Sequence, residues 1–107
     1  MANNAREILN KLISFPVLGG QSNYSILDWI KGYLDQHGVV YHLVSHATEA
    51  KASLHCRIGP AVDGGDILSG HTDVVPVEGQ EWDTDPFVLT ERGDKLYARG
   101  SCDMKGF

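Results

Sequence analysis

The spacing of apolar residues changes once along the chain, at Gly38, and that change restricts the fold more than any other feature. Ahead of it, Ile8, Leu9, Leu12 and Ile13 recur at the i, i+1, i+4, i+5 spacing of a helix with one buried stripe. This helix stops before Phe15-Pro16, because a residue that precedes proline is pushed out of the helical region. After a loop through Gly19-Gly20, a second helix begins near Ser22 to Ser25, where Ser25 and Asp28 have the spacing of a capping box. It carries Ile26, Leu27, Ile30, Tyr33 and Leu34 on one side, and Gly38 occupies the position just past its end. Beyond Gly38 the period is that of strands. Val39, Val40, Tyr41, Leu43 and Val44 read as one, and Ala52, Leu54, Cys56 and Ile58 alternate as a second, with a polar connection around Thr48 to Lys51. Ile67-Leu68, bounded by turn residues, reads as a strand buried on both faces. Phe87 to Thr90 and Lys95 to Ala98 flank Arg92-Gly93-Asp94 as a hairpin. Two helices beside several strands, with no internal repeat, define an α/β domain.

A chain of 107 residues buries only about two-thirds of the surface it exposes when unfolded, so one modest core within residues 1–107 is expected. Nine Lys and Arg against fourteen Asp and Glu leave a formal charge of -5, which argues against nucleic acid as a partner, since phosphate-backbone binding draws on a basic surface. No apolar run approaches the roughly 20 residues that span a bilayer, so no membrane partner is expected. The opening Met1-Ala2-Asn3-Asn4-Ala5-Arg6-Glu7 is polar and unlike a signal peptide, which makes the expected location cytoplasmic. Cys56 and Cys102 are too few and too far apart for a disulfide framework and read as free thiols.

His71 and Asp73 are separated by one residue at the end of the expected Ile67-Leu68 strand, so an extended backbone sends both side chains to one face. Ligands of open α/β sheets gather at the carboxyl ends of strands. A neutral imidazole is a good zinc ligand, and a metal-bound His is usually held in its tautomer by a carboxylate or carbonyl on the other nitrogen. A His-x-Asp pair therefore supplies a ligand and its orienter. Alone the motif is short and unspecific, and local hydrogen bonding at a polar strand end is the plainer reading.

The surrounding residues add specificity. Ser69-Gly70-His71-Thr72-Asp73-Val74-Val75-Pro76-Val77 is followed by Trp82, by Asp85-Pro86-Phe87 and by Leu96-Tyr97-Ala98-Arg99-Gly100-Ser101-Cys102-Asp103-Met104-Lys105-Gly106. This succession resembles the co-catalytic zinc amidohydrolases and peptidases. The resemblance implies the N-terminal part of a three-layer α/β/α zinc-peptidase-like catalytic domain, with the rest of that domain and a dimerisation domain outside residues 1–107. It makes His71 a ligand of one metal, Asp103 the carboxylate bridging two, and Asp73 the acidic neighbour that orients His71, with the Asp103–Met104 peptide bond often cis. The implied cofactors are two divalent metal ions, zinc or cobalt, and the implied partners are a small-molecule N-acyl amino acid and a second subunit in a homodimer. A carboxylate has two oxygens and can hold two ions at the roughly 3.5–4 Å spacing of two-metal hydrolases.

Within the family, Ser22-Asn23, Tyr33-Leu34, Gly38-Val39 and the Asp103-Met104-Lys105-Gly106-Phe107 ending point to hydrolysis of N-acetyl-L-ornithine to acetate and L-ornithine, as in arginine biosynthesis. A succinyl-diaminopimelate desuccinylase or a dipeptidase is the alternative within the family, and a non-catalytic binding module the alternative outside it. The family's general base is a glutamate of a Glu-Glu pair downstream of the bridging aspartate. Glu7, Glu49, Glu78, Glu81 and Glu91 all precede Asp103 and match no such pair, so the base is unassigned and the 107-residue chain is expected to be inactive alone.

Other residues read as structural. His37, His42, His46 and His55 lack tight zinc spacing, and strand positions alternate faces, so the four need not converge. Trp82 and Phe87 are packing residues near the rim of the site. Arg99 either steadies the loop presenting Asp103, pairs with a carboxylate, or is solvated. Lys105 has a structural role, Cys102 behaves as a small apolar residue, and Ala98 is acceptable where the family commonly has glycine unless its backbone needs a positive φ.

Overall fold

The computed structural model describes residues 4–107 and consists of helices α1 (Ala5–Ile13) and α2 (Tyr24–Gln36) and strands β1 (Tyr41–Ser45), β2 (Ala52–Cys56), β3 (Thr90–Arg92) and β4 (Lys95–Tyr97). The mixture of helix and strand is that of an α/β chain. Each pair of consecutive strands forms its own antiparallel two-stranded sheet, β1 with β2 and β3 with β4. The residues divide into two compact units, one of Gln21–Ser69 and one that joins Gly70–Phe107 to the chain up to Gly20.

In the unit that includes Gly70–Phe107, α1 opens on a capping box. The Asn4 side chain accepts from the Glu7 amide at 2.9 Å, and the Glu7 carboxylate accepts from the Asn4 amide at 2.9 Å, which satisfies two backbone donors that a helix start leaves unpaired. The helix ends at Ser14, just ahead of Phe15-Pro16. Its buried face ends in Ile13, which has no exposed surface. The chain then runs beside Val74: the Val74 amide donates to the Val17 carbonyl at 2.8 Å and the Gly19 amide to the Val74 carbonyl at 3.3 Å, a short parallel bridge. Among the described residues of this unit, Ile13, Val17, Val74 and Ala98 are the buried apolar side chains. Strands β3 and β4 pair Thr90 with Tyr97, Glu91 with Leu96 and Arg92 with Lys95. Their two-residue turn has Gly93 at φ 62° and no positive φ at Asp94, the arrangement of a type II′ turn, whose first position favours glycine.

In the unit of residues 21–69, α2 begins at Asn23, and the expected Ser25–Asp28 capping box is absent because Ser25 lies inside the helix. Asn23 instead spends its amide on β2, accepting from the Ala52 amide at 3.0 Å and donating to the Ala52 carbonyl at 2.8 Å. The helix closes as expected at Gly38, whose φ is 66°. The Gly38 amide donates to the Asp35 carbonyl and the Val39 amide to the Leu34 carbonyl, the paired bonds of a Schellman motif. Ile26, Leu27 and Ala52 are buried.

Ile67 and Leu68 do not form the expected strand. They are 93% and 83% exposed and lie in no strand. An apolar pair becomes a strand only when neighbouring backbone completes its hydrogen bonds, and among the described residues no strand pairs with 67–68.

Candidate metal-site residues

Two loop segments carry His71, Asp73 and Asp103, and the packing between them fixes the site. Val74 is pinned by its backbone bonds to Val17 and Gly19, which anchors the segment His71-Thr72-Asp73. The segment after β4 folds tightly: the Ser101 amide and hydroxyl both bond the Ala98 carbonyl, and the Lys105 amide donates to the Gly100 carbonyl at 3.0 Å. Gly100 sits at φ 87°, and a Cβ there would lie 2.8 Å from Val74 Cγ1, so this position needs glycine for both its backbone and its close approach. Ala98 has no positive φ, and alanine fits there. The Asp103–Met104 peptide bond is cis, as the resemblance implies. Met104 reaches back across the first segment, where its Sδ accepts from the His71 amide at 3.4 Å.

This arrangement brings the three residues together. His71 Nδ1 lies 3.1 Å from the Asp73 backbone carbonyl and 3.2 Å from Asp73 Oδ1. Both partners are acceptors, so a proton on Nδ1 would satisfy them and leave the Nε2 lone pair for a metal ion. Nε2 in turn lies 3.3 Å from Asp103 Oδ1. Two ligands held about 2.0–2.1 Å from one tetrahedral zinc stand about 3.3 Å apart, so the spacing and the donor types fit adjacent positions on a divalent cation. The side chains of His71, Asp73 and Asp103 are 49%, 50% and 86% exposed, and they line an open cleft of about 230 Å³ together with Val74, Arg99 and Cys102. Among the described residues no three His, Cys, Asp or Glu side chains gather as a metal-holding group. His71 and Asp103 thus fit as part of a ligand set.

Lys105 is buried, and its Nζ donates to the Phe15 carbonyl at 2.7 Å, tying the end of the site segment to the exit of α1. Burial holds its ammonium below the ordinary lysine range, and the Asp73 carboxylate pulls the other way. Of the three readings of Arg99, the structure favours the first. Its guanidinium lies 5.2 Å over the Trp82 ring and bonds the Gln80 side chain, and its amide donates to the Pro86 carbonyl at 2.7 Å. Arg99 therefore ties the 80–86 loop to the segment that leads to Asp103. Trp82 and Phe87 are half-buried, as packing residues near a rim would be. Sequence reasoning missed Gln80 and the Met104 sulfur. Neither has a local signal, because both act through partners distant in the chain.

The segment that carries these side chains, residues 67–107, matches the sequence model of peptidase family M20/M25/M40, bearing out the resemblance read from the motifs. Over 94% of its length the chain is 36% identical to an acetylornithine deacetylase of Pectobacterium carotovorum, covering 28% of that protein. It is 37% identical to the acetylornithine deacetylase of Photorhabdus laumondii, again over 94% of this chain and 28% of the relative. Against the acetylornithine deacetylase of Erwinia tasmaniensis it is 35% identical over 97% of this chain and 29% of the relative. The chain thus spans under a third of the length of these relatives. No helix among the described residues is long and apolar enough to cross a membrane.

Proposed function

We propose that this chain contributes one half of a two-metal centre to a cytoplasmic, homodimeric amidohydrolase that converts N-acetyl-L-ornithine to acetate and L-ornithine. The observation that supports this most is the His71 Nε2–Asp103 Oδ1 pair at 3.3 Å, with Nδ1 held by Asp73. In this reading His71 would hold one metal, Asp103 would be the carboxylate shared with a second, and Asp73 would fix the imidazole's tautomer and ring plane. Bound zinc or cobalt would supply Lewis acidity toward the amide carbonyl and a water acidic enough to ionise near neutral pH. The protein's own part is positional. Asp73 keeps the Nδ1 proton in place, so Nε2 stays available as a donor. Arg99 and Trp82 hold the 80–86 loop beside the cleft, and Lys105 anchors the segment behind Asp103.

General-base catalysis needs a group within hydrogen-bond reach of the proton it takes, and among the described residues no glutamate lines the cleft. The 107-residue chain alone is therefore expected to give no turnover of N-acetyl-L-ornithine with zinc or cobalt added. Ornithine release above the metal-only background would contradict this. Two donors also hold a divalent ion weakly, so calorimetry showing tight zinc binding that His71→Ala abolishes would show that the ligand set is larger than proposed.

A further inference from the structure

The four histidines outside the cleft fare differently in the structure. His37 Nδ1 lies 2.9 Å from the Tyr33 carbonyl, and His46 Nδ1 accepts the amides of Thr48 and Glu49. Both are committed to local backbone. His42 and His55, by contrast, are directly opposite each other on β1 and β2, and both are exposed. The sheet's register fixes how close they come. The His46 amide donates to the Lys51 carbonyl at 2.8 Å. Counting two residues per rung along the ladder makes Val44 with Ser53, and then His42 with His55, the pairs that exchange backbone hydrogen bonds. The Cα atoms of such a pair are about 5.5 Å apart with both side chains on one face. Two imidazoles leaving neighbouring strands in parallel across that gap can present one nitrogen each to a single ion.

We propose that His42 and His55 form a two-imidazole binding site for a divalent transition-metal ion on the β1–β2 hairpin, separate from the His71–Asp103 pair. The rest of that face sets the class of ion. Within the strands its other members are Val44 and Ser53, which add no carboxylate. Imidazole without carboxylate suits nickel, copper and zinc and does not suit magnesium or calcium. The chain's net charge of -5 also favours the approach of cations. An ion held by both rings cross-links the two strands, so binding stabilises the hairpin in proportion to its affinity.

The test is a nickel titration of the untagged 107-residue chain, followed residue by residue in amide NMR spectra. Paramagnetic broadening is expected to centre on His42, His55, Val44 and Ser53. His42→Thr and His55→Thr keep a strand-favouring side chain at each position. Each is expected to weaken the association by roughly tenfold or more, the effect of losing about 1.4 kcal/mol of binding free energy. His71→Ala is expected to leave the hairpin titration unchanged. Broadening centred on His71 and Asp103 alone would overturn the proposal, as would single variants that bind nickel like the parent chain.

Discussion

Gly100→Ala tests whether the turn that presents Asp103 is shaped by one glycine. The added methyl meets two costs. The backbone is at φ 87°, where a Cβ crowds its own carbonyl at a cost of about 1–2 kcal/mol. The methyl would also stand 2.8 Å from Val74 Cγ1, and Val74 is only 3% exposed and pinned by backbone bonds, so it has little room to yield. Forcing an extra carbon into such a contact costs a further amount of about 1–3 kcal/mol. Together the loss is about 2–5 kcal/mol. Gly93→Ala provides the control. Its φ of 62° imposes a similar backbone cost, but a Cβ there meets nothing within 4 Å. Urea unfolding monitored through Trp82 in a Trp29→Phe background measures both variants in the unit that holds the site. The expected order is parent, then Gly93→Ala, then Gly100→Ala. A Gly100→Ala chain as stable as Gly93→Ala would refute the contact with Val74 as a determinant of the turn.

Lys105→Met removes the charged hydrogen bond to the Phe15 carbonyl while keeping most of the buried stem, and should cost about 1.5–3 kcal/mol in the same unfolding experiment. Arg99→Lys loses the guanidinium plane over Trp82 and should cost about 0.5–1 kcal/mol. It should also shift Trp82 emission to longer wavelength, and an unchanged spectrum would count against the stacked geometry. Asp73→Asn keeps the backbone carbonyl that faces His71 Nδ1 but removes the carboxylate. The weak zinc binding at the cleft, followed through NMR shift changes at His71, should fall by about 10–100-fold.

Much of the local structure was legible because particular residues force it. Proline at 16 ends α1, glycine at 38 permits the Schellman closure, and glycine at 93 permits the β3–β4 turn. The capping box was misplaced because Ser25–Asp28 and Asn4–Glu7 have the same spacing. What separates them is where each helix begins, and Asn23 is drawn away by Ala52 in β2. The Ile67-Leu68 strand was misread for a related reason: apolar, turn-bounded residues mark a candidate strand, but a partner must complete it. At the site, His71, Asp73 and Asp103 could be named from motif order. Their meeting depends on the Val74 bridge and the Gly100 turn, which join positions distant in the chain and leave no periodic trace. The His42–His55 pair was invisible for want of register: alternation gives each strand its faces, and only the pairing says which residues stand opposite.

The ligand role proposed for His71 and Asp103 in an N-acetyl-L-ornithine hydrolase depends on the rest of the enzyme being present. It is tested most directly by putting this chain in place of the matching segment of the Pectobacterium carotovorum acetylornithine deacetylase. Ornithine release is then measured for the chimera and for its His71→Ala and Asp103→Ala variants, each checked for folding and metal content. The chimera is expected to hydrolyse N-acetyl-L-ornithine and to lose bound metal and turnover with either substitution. A folded, metal-loaded chimera that leaves the substrate intact, or variants that match it in metal content and rate, would contradict that role.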